Sequence, residues 1–206
     1  MNKKTDQEVF WSGTFGDEYT QRNVGSEILA SNVALFSKIL SRVSKVNTMI
    51  EFGSNLGLNL MAIKTLIPKI QMSAIEINDV AVKHLSKLGL EHVYHQSILD
   101  FEPSKTWDLV VIKGVMIHLN PDRLSQAYQS LYDSCGEWML IAEYYNPVPV
   151  EINYRGHAGK LFKRDFAGEI MDKFPDLALI DYGFVWHKDN NYPQDDITWF
   201  LLKKEK

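Results

Sequence analysis

Cysteine is almost absent from this 206-residue chain. With Cys135 as its only thiol it can form no internal disulfide and no thiolate cluster for zinc, a pattern that fits a reducing cytoplasm. No stretch approaches the roughly 18 uninterrupted apolar residues of a membrane-spanning helix. The opening, Met1 to Glu8, is polar where a signal peptide would be apolar. A cytoplasmic protein without a membrane partner is therefore expected. Excess positive charge is missing too. With 22 Lys and Arg against 26 Asp and Glu, the formal net charge is -4. That withholds any general attraction for a polyanion and counts against nucleic acid as the main partner. There is no internal repeat or low-complexity segment. What is present is ordinary for a folded protein: 45% hydrophobic, 12% aromatic and 23% charged residues. The length suits one sizeable core, hence a single domain spanning residues 1–206.

Apolar runs alternate with amphipathic stretches, the pattern of a largely parallel sheet flanked by helices. Strands are expected at Thr48 to Phe52, Met72 to Ile77, His92 to Gln96, Trp107 to Ile112 and Trp138 to Tyr144. Crossover helices are expected at Gly57 to Ile67, Asp79 to Leu88 and Asp122 to Asp133. Leu179 to Trp186 and Thr198 to Lys203 are close enough to pair antiparallel. Two segments fall outside this pattern: residues 1–45, read as a cap before a core of residues 46–206, and the loop-rich stretch Tyr145 to Asp165. Ligands of open parallel sheets gather beyond the carboxyl ends of the strands, so such segments are natural lids and acceptor sites.

The first strand runs into Glu51-Phe52-Gly53-Ser54-Asn55-Leu56-Gly57 and then a helix. Gly53 permits a sharp turn and Gly57 close packing, while the helix start offers free backbone N–H groups to an anionic ligand group. The dinucleotide fingerprint needs glycines at its first, third and sixth positions; Asn55 and Leu58 stand at the last two, which argues against a nicotinamide cofactor. A plain tight turn between strand and helix is the other reading of this loop. Glu76, with Ile77 beside it, ends the second strand 19 residues beyond Gly57, where an acid can accept both hydrogen bonds of a ribose diol. A solvated, helix-capping glutamate is the alternative there.

An acid, one residue, a glycine, and another glycine four positions on resemble the first motif of the Rossmann-like, class I methyltransferases, with Asn55 in place of the central glycine. Asparagine best tolerates left-handed backbone among the remaining residues. The resemblance implies S-adenosylmethionine as cofactor and S-adenosylhomocysteine as product. It also implies a seven-stranded, mostly parallel sheet of order 3-2-1-4-5-7-6 with strand seven antiparallel and helices on both faces. It places Ser97 and Ile98 at the adenine, and Lys113 and Gly114 along the methionine end. Glu51, Gly53, Ser54, Asn55, Gly57, Glu76 and Ile77 complete the expected cofactor set.

The sulfonium already activates its methyl group, so the protein has to align an acceptor and exclude water; no metal is required. His118 and His157 are the candidate bases for an oxygen or nitrogen acceptor. The apolar flanks of His118 equally suit a buried structural histidine. Tyr154, Arg155 and His157, followed by Arg164, form a basic cluster that suits a small anionic acceptor, or alternatively a solvated helix start. Ahead of the core, Tyr19, Arg22 and Asn23 are candidates to reach the carboxylate of the cofactor, with Arg22 preferred.

FWSGTFGDEYTQRN, EFGSNLG, GVMIHLNP and YRGHAGKLFKRDF together resemble the methylases associated with pseudaminic acid biosynthesis. That similarity implies an acceptor linked to bacterial surface-sugar production: a nonulosonic acid, its precursor, or a nucleotide-activated form. A cofactor-binding scaffold without catalysis and a nicotinamide-dependent oxidoreductase are the rival functions.

Overall fold

The structure, a computed structural model, describes residues 3–22 and 25–205. Three helices come first: α1 (Asp6–Ser12), α2 (Thr14–Arg22) and α3 (Ser26–Leu40). Strands and helices then alternate through β1 (Thr48–Phe52), α4 (Leu58–Leu66), β2 (Gln71–Glu76), α5 (Asp79–Leu85), β3 (His92–His95), β4 (Trp107–Lys113), α6 (Leu124–Ser134) and β5 (Cys135–Glu143). A hairpin of β6 (Val150–Tyr154) and β7 (His157–Lys163) leads to α7 (Phe166–Lys173), β8 (Leu177–Val185) and β9 (Ile197–Lys204).

Seven strands form one sheet in the order β3-β2-β1-β4-β5-β9-β8. All neighbours are parallel except around β9, which runs antiparallel to both β5 and β8. Numbered within the sheet, this is the expected 3-2-1-4-5-7-6 with a reversed seventh strand. Both faces are covered, which is why the central strands read as unbroken apolar runs. Along β1, Ile50 and Phe52 enter the layer beneath α6 and α7, while Met49 enters the layer beneath α3 and α4. Each such fully buried side chain stabilises the fold by about 1.5–3 kcal/mol.

Local capping fixes where the helices begin. Asn78 accepts from the N–H groups of Val80 and Ala81 at the start of α5, and Asp165 accepts from that of Gly168 at the start of α7. Thr5 and Glu8 form a reciprocal capping box on α1.

The stretch Tyr145 to Asp165 corrects the expectation of a loop-rich segment. Val150 pairs with Lys163 and Tyr154 with His157, joined by the two-residue turn Arg155-Gly156 at φ 51° and 87°. Two successive left-handed residues give the turn whose twist matches that of an antiparallel ribbon. Among the described residues, no helix is long and apolar enough to cross a membrane.

Candidate functional site

Beyond Phe52 the chain turns through Gly53 (φ 75°), Asn55 (φ 45°) and Gly57 (φ 78°) before α4 begins. The N–H groups of Gly53 and Ser54 both donate to the Ile75 carbonyl, at 2.9 and 3.1 Å, which clips the turn to β2. A Cβ on Gly57 would lie 2.6 Å from Leu88 Cδ1 and 3.0 Å from Leu85 Cδ2, so a larger residue would push the turn off α5. A Cβ on Gly53 would lie 2.6 Å from Val115 Cγ2. Asn55 takes the left-handed conformation that its residue type tolerates. Its Oδ1 accepts from Thr20 Oγ1 of α2 at 3.0 Å, tying the turn to the N-terminal helices.

Glu76 closes the other side of this turn. Its Oε2 accepts from Asn55 N at 2.7 Å, and its Oε1 from Ile77 N and Asn78 N at 2.8 Å each. Burial raises its pKa against the pull of these N–H groups. An ionised carboxylate has roughly four acceptor sites, so three bonds leave about one for a ligand.

Turn and carboxylate border a cavity of about 760 Å³, within the range of small-molecule sites. Ile77, Ser97 and Ile98 line it at one end, Lys113 and Gly114 at the other. Trp11 and Tyr19 of the N-terminal helices close it from above, and residues 189–195, between β8 and β9, close its outer side.

At the first end Glu8 of α1 is buried against Ser97. Its Oε2 accepts from Thr5 N at 2.7 Å and Thr5 Oγ1 at 2.9 Å. Burial would raise its pKa, yet the bonds from Ser97 and Thr5 and the field of Arg123 outweigh that and hold it below the usual range. At the other end Lys113, half-buried, stands in the field of Glu51 and Glu143. Glu51 lies fully buried behind the turn rather than on the cavity wall, its Oε1 accepting from Asn59 Nδ2 at 2.7 Å. Glu143 Oε1 accepts from Val115 N at 3.0 Å and Met116 N at 2.9 Å. Neither Oε2 has a partner among the described residues. Burial pushes both carboxyls up to about 7 and lowers the Lys113 ammonium.

The residues expected to serve the acceptor divide. His118 lines the cavity, its Nδ1 donating to the Lys160 carbonyl at 2.6 Å, and burial drives its pKa down to about 4. Tyr154 packs on His118 and Trp11, ring centroids 4.8 and 6.3 Å away. His157 is exposed on the far side of that aromatic roof, against Phe10 and Phe15. Arg155 lies over the Tyr154 ring and Arg164 is bound to Glu169 at 2.6 Å; neither borders the cavity. Arg22, expected at the carboxylate of the cofactor, instead lies over Phe15 at 5.8 Å. Asn23 lies outside the described residues. Arg155 and His157 are exposed on the β6–β7 hairpin, while the half-buried Arg164 is engaged by Glu169.

Sequence reasoning missed Glu8, Asn78 and the 189–195 segment. Thr5-x-x-Glu8 is a legible capping box, but nothing local tells that its carboxylate reaches Ser97. Asn78, besides capping α5, donates from Nδ2 to Asp17 Oδ1 at 2.8 Å and to the Trp11 carbonyl at 3.3 Å.

Strand order, glycine turn and the acid that ends β2 are those of the Rossmann-like fold of class I S-adenosylmethionine-dependent methyltransferases. The chain superposes on the plantazolicin methyltransferase BpumL in complex with a pentazolic desmethylPZN analog and SAH (S-adenosylhomocysteine). That match has a TM-score of 0.66 at 13% identity and covers 97% of this chain and 95% of that one. It likewise matches magnesium protoporphyrin IX methyltransferase from Synechocystis with bound SAH, at TM-score 0.67, 10% identity, and 97% and 100% coverage. A third match is CalS10, an amino pentose methyltransferase from Micromonospora echinaspora, at TM-score 0.63, 10% identity and 99% coverage of each chain. Neither a protein-family model nor the sequence of a curated protein matches the chain. At these identities the likeness is one of fold.

Proposed function

We propose that this chain is an enzyme that transfers a methyl group from S-adenosylmethionine to a small polar acceptor. The observation that carries the reading is the 2.7 Å bond from Asn55 N to Glu76, which joins the glycine turn and the β2 carboxylate along one cavity. The residues fit such a cofactor. Glu76 offers its remaining acceptor site to the ribose, Ser97 and Ile98 a polar edge and an apolar wall to the adenine. Lys113 with Gly114 provides a charged and an open backbone edge for the amino-acid end. The unpartnered Glu51 and Glu143 oxygens add negative potential behind that end, where a sulfonium and an ammonium both benefit.

When bound, the cofactor supplies an electrophilic methyl group. The protein's own part is to orient the acceptor and keep water out. Trp11 and Tyr19 cover the cavity, while the bonds Thr20–Asn55 and Asn78–Asp17 hold the N-terminal helices over the turn. Residues 1–206 act as one domain in this reading, with residues 1–45 as its cap. A sugar-related acceptor of the nonulosonic acid type is supported by the resemblance of four segments to pseudaminic acid-associated methylases, and a sugar as acceptor by the neighbour CalS10. The anionic character expected of that acceptor rested on Arg155, His157 and Arg164, which lie off the cavity.

Incubation with methyl-labelled S-adenosylmethionine and a panel of sugars, sugar acids and nucleotide sugars tests the reading. Label transferred to an acceptor with matching release of S-adenosylhomocysteine supports it. Tight cofactor binding without release across the panel favours a scaffold, and enhanced NADH fluorescence without S-adenosylmethionine binding favours an oxidoreductase.

A further inference from the structure

The charge on the cavity wall departs from what an anionic acceptor needs. Among the described lining residues, carboxylates come from Glu8, Glu27, Glu76, Asp189 and Asp195, whereas Lys113 is the only cation and no arginine is present. Glu8 and Glu76 stand at the adenosine end, beside Ser97 and Asn55. Glu27, Asp189 and Asp195 remain for the rest of the cavity. An anion there would face these carboxylates with Lys113 as its sole counter-charge among the described lining residues, and Lys113 is itself in the field of Glu51, Asp195 and Glu143.

Asp195 is held in place by the build of its loop. Gln194 Nε2 donates to Asn32 Oδ1 of α3 at 3.0 Å, and Gln194 N to the Trp186 carbonyl at 3.2 Å. On the other side Asp196, at φ 54°, binds His187 Nδ1 at 2.8 Å. Asp189 shapes the same loop by accepting from Asn191 N and Tyr192 N at 2.9 and 2.7 Å. Between these anchors the Asp195 charge acts on Lys113, Tyr19 and Tyr144, at the methionine end of the cavity.

His118 supplies a separate observation. It is only 8% exposed and lines the same cavity. A carbonyl can only accept, so the bond to Lys160 O places the ring hydrogen on Nδ1 and leaves Nε2 as a bare acceptor. Nε2 has no partner among the described residues. His118 borders the cavity, so the N–H or O–H of a ligand can reach this open acceptor.

We infer that the methyl acceptor is a small amine-bearing molecule, its amino group held by Asp195 and Glu27 and one of its N–H or O–H groups bound by His118 Nε2. The inference rests on the methyl-donor reading and adds the chemical class of the acceptor. Its sense is opposite to the anionic acceptor that the sequence alone favours.

The test is calorimetric titration of the protein saturated with S-adenosylhomocysteine, using three methyl glycosides that carry an amine, a hydroxyl or a carboxylate at the same ring carbon. At pH 7 the amino glycoside is expected to bind at least tenfold more tightly than the hydroxyl form, and the carboxylate form most weakly. Asp195→Asn, at an exposed position that leaves the core intact, should remove most of the preference for the amine. His118→Gln should weaken the amino and hydroxyl forms alike. A carboxylate glycoside bound as tightly as the amino one, no preference among the three, or a preference unchanged in Asp195→Asn overturns the proposal. Failure of S-adenosylhomocysteine to saturate the protein is a separate result that removes the methyl-donor reading itself.

Discussion

The carboxylate of Glu76 accepts from the backbone N–H of Asn55 at 2.7 Å, so the end of β2 and the turn after β1 form one continuous wall of the cavity. Glu76→Ala deprives the N–H groups of Asn55, Ile77 and Asn78 of their acceptor and removes the remaining site offered to a ribose. Affinity for S-adenosylhomocysteine should fall by about 1–3 kcal/mol, with Glu76→Gln falling less because one oxygen survives. Fluorescence titration of the three proteins measures this, and equal affinities would take Glu76 out of the site.

Thr20 Oγ1 also reaches the turn, through Asn55 Oδ1 at 3.0 Å. Thr20→Val keeps the shape of a buried residue and leaves Asn55 Oδ1 without its donor. Loss of about 0.5–1.5 kcal/mol is expected. Because Thr20 belongs to the helices that cover the cavity, stopped-flow kinetics should show the loss as faster release of S-adenosylhomocysteine with little change in its capture. An unchanged release rate would mean that α2 does not hold the ligand in.

Gly57 and Gly114 share left-handed backbone but differ in surroundings. A Cβ at Gly57 meets Leu88 and Leu85, whereas one at Gly114 meets nothing within 4 Å. Gly114→Ala should therefore cost only the conformational penalty, about 1 kcal/mol, and Gly57→Ala that penalty plus a clash, about 2–4 kcal/mol. Urea unfolding reads both, and the order Gly57→Ala below Gly114→Ala is the outcome to look for.

Much of this arrangement was legible in the sequence where a local rule sufficed. Thr48 to Phe52 reads as a strand because its apolar run is buried on both faces. The turn from Gly53 to Gly57 reads as left-handed because glycine and asparagine occupy the positions that need it. The hairpin at residues 150–163 was hidden because its turn places Arg155, not asparagine or aspartate, at the first left-handed position. Residues 189–195 were hidden for another reason. Their polar composition is that of a solvent loop, and the long-range bond of Gln194 to Asn32 that helps hold the segment at the cavity follows no local rule. Charge type is visible in a sequence, whereas the placement of Arg155 and His157 on a hairpin off the cavity is not.

His118 titrates near pH 4, against 6.5 for a free histidine, because burial disfavours its charged form. As pH falls, the unfolded chain takes up this proton first. The stability due to neutral His118 is therefore full above about pH 6.5 and lost as pH falls through 4, amounting to about 3 kcal/mol over that window. Glu51 and Glu143 act in the opposite sense: with folded values raised from 4.5 to about 7, their contribution is full below 4.5 and lost as pH rises through 7. Comparison of His118→Gln with the unchanged protein cancels the two glutamates. Between pH 7 and pH 4.5 the unchanged protein should lose about 2–3 kcal/mol more than the variant in urea unfolding. Parallel profiles would show that folding leaves the His118 pKa unshifted.

The central claim is that the cavity between the glycine turn and Glu76 holds an adenosyl sulfonium compound. Isothermal titration of the unmodified chain with S-adenosylmethionine, S-adenosylhomocysteine and NADH bears on it most directly. One-to-one binding of the two adenosyl compounds, with no heat from NADH, is the result expected. Saturable binding of NADH, or no heat from either adenosyl compound at millimolar concentration, would contradict it.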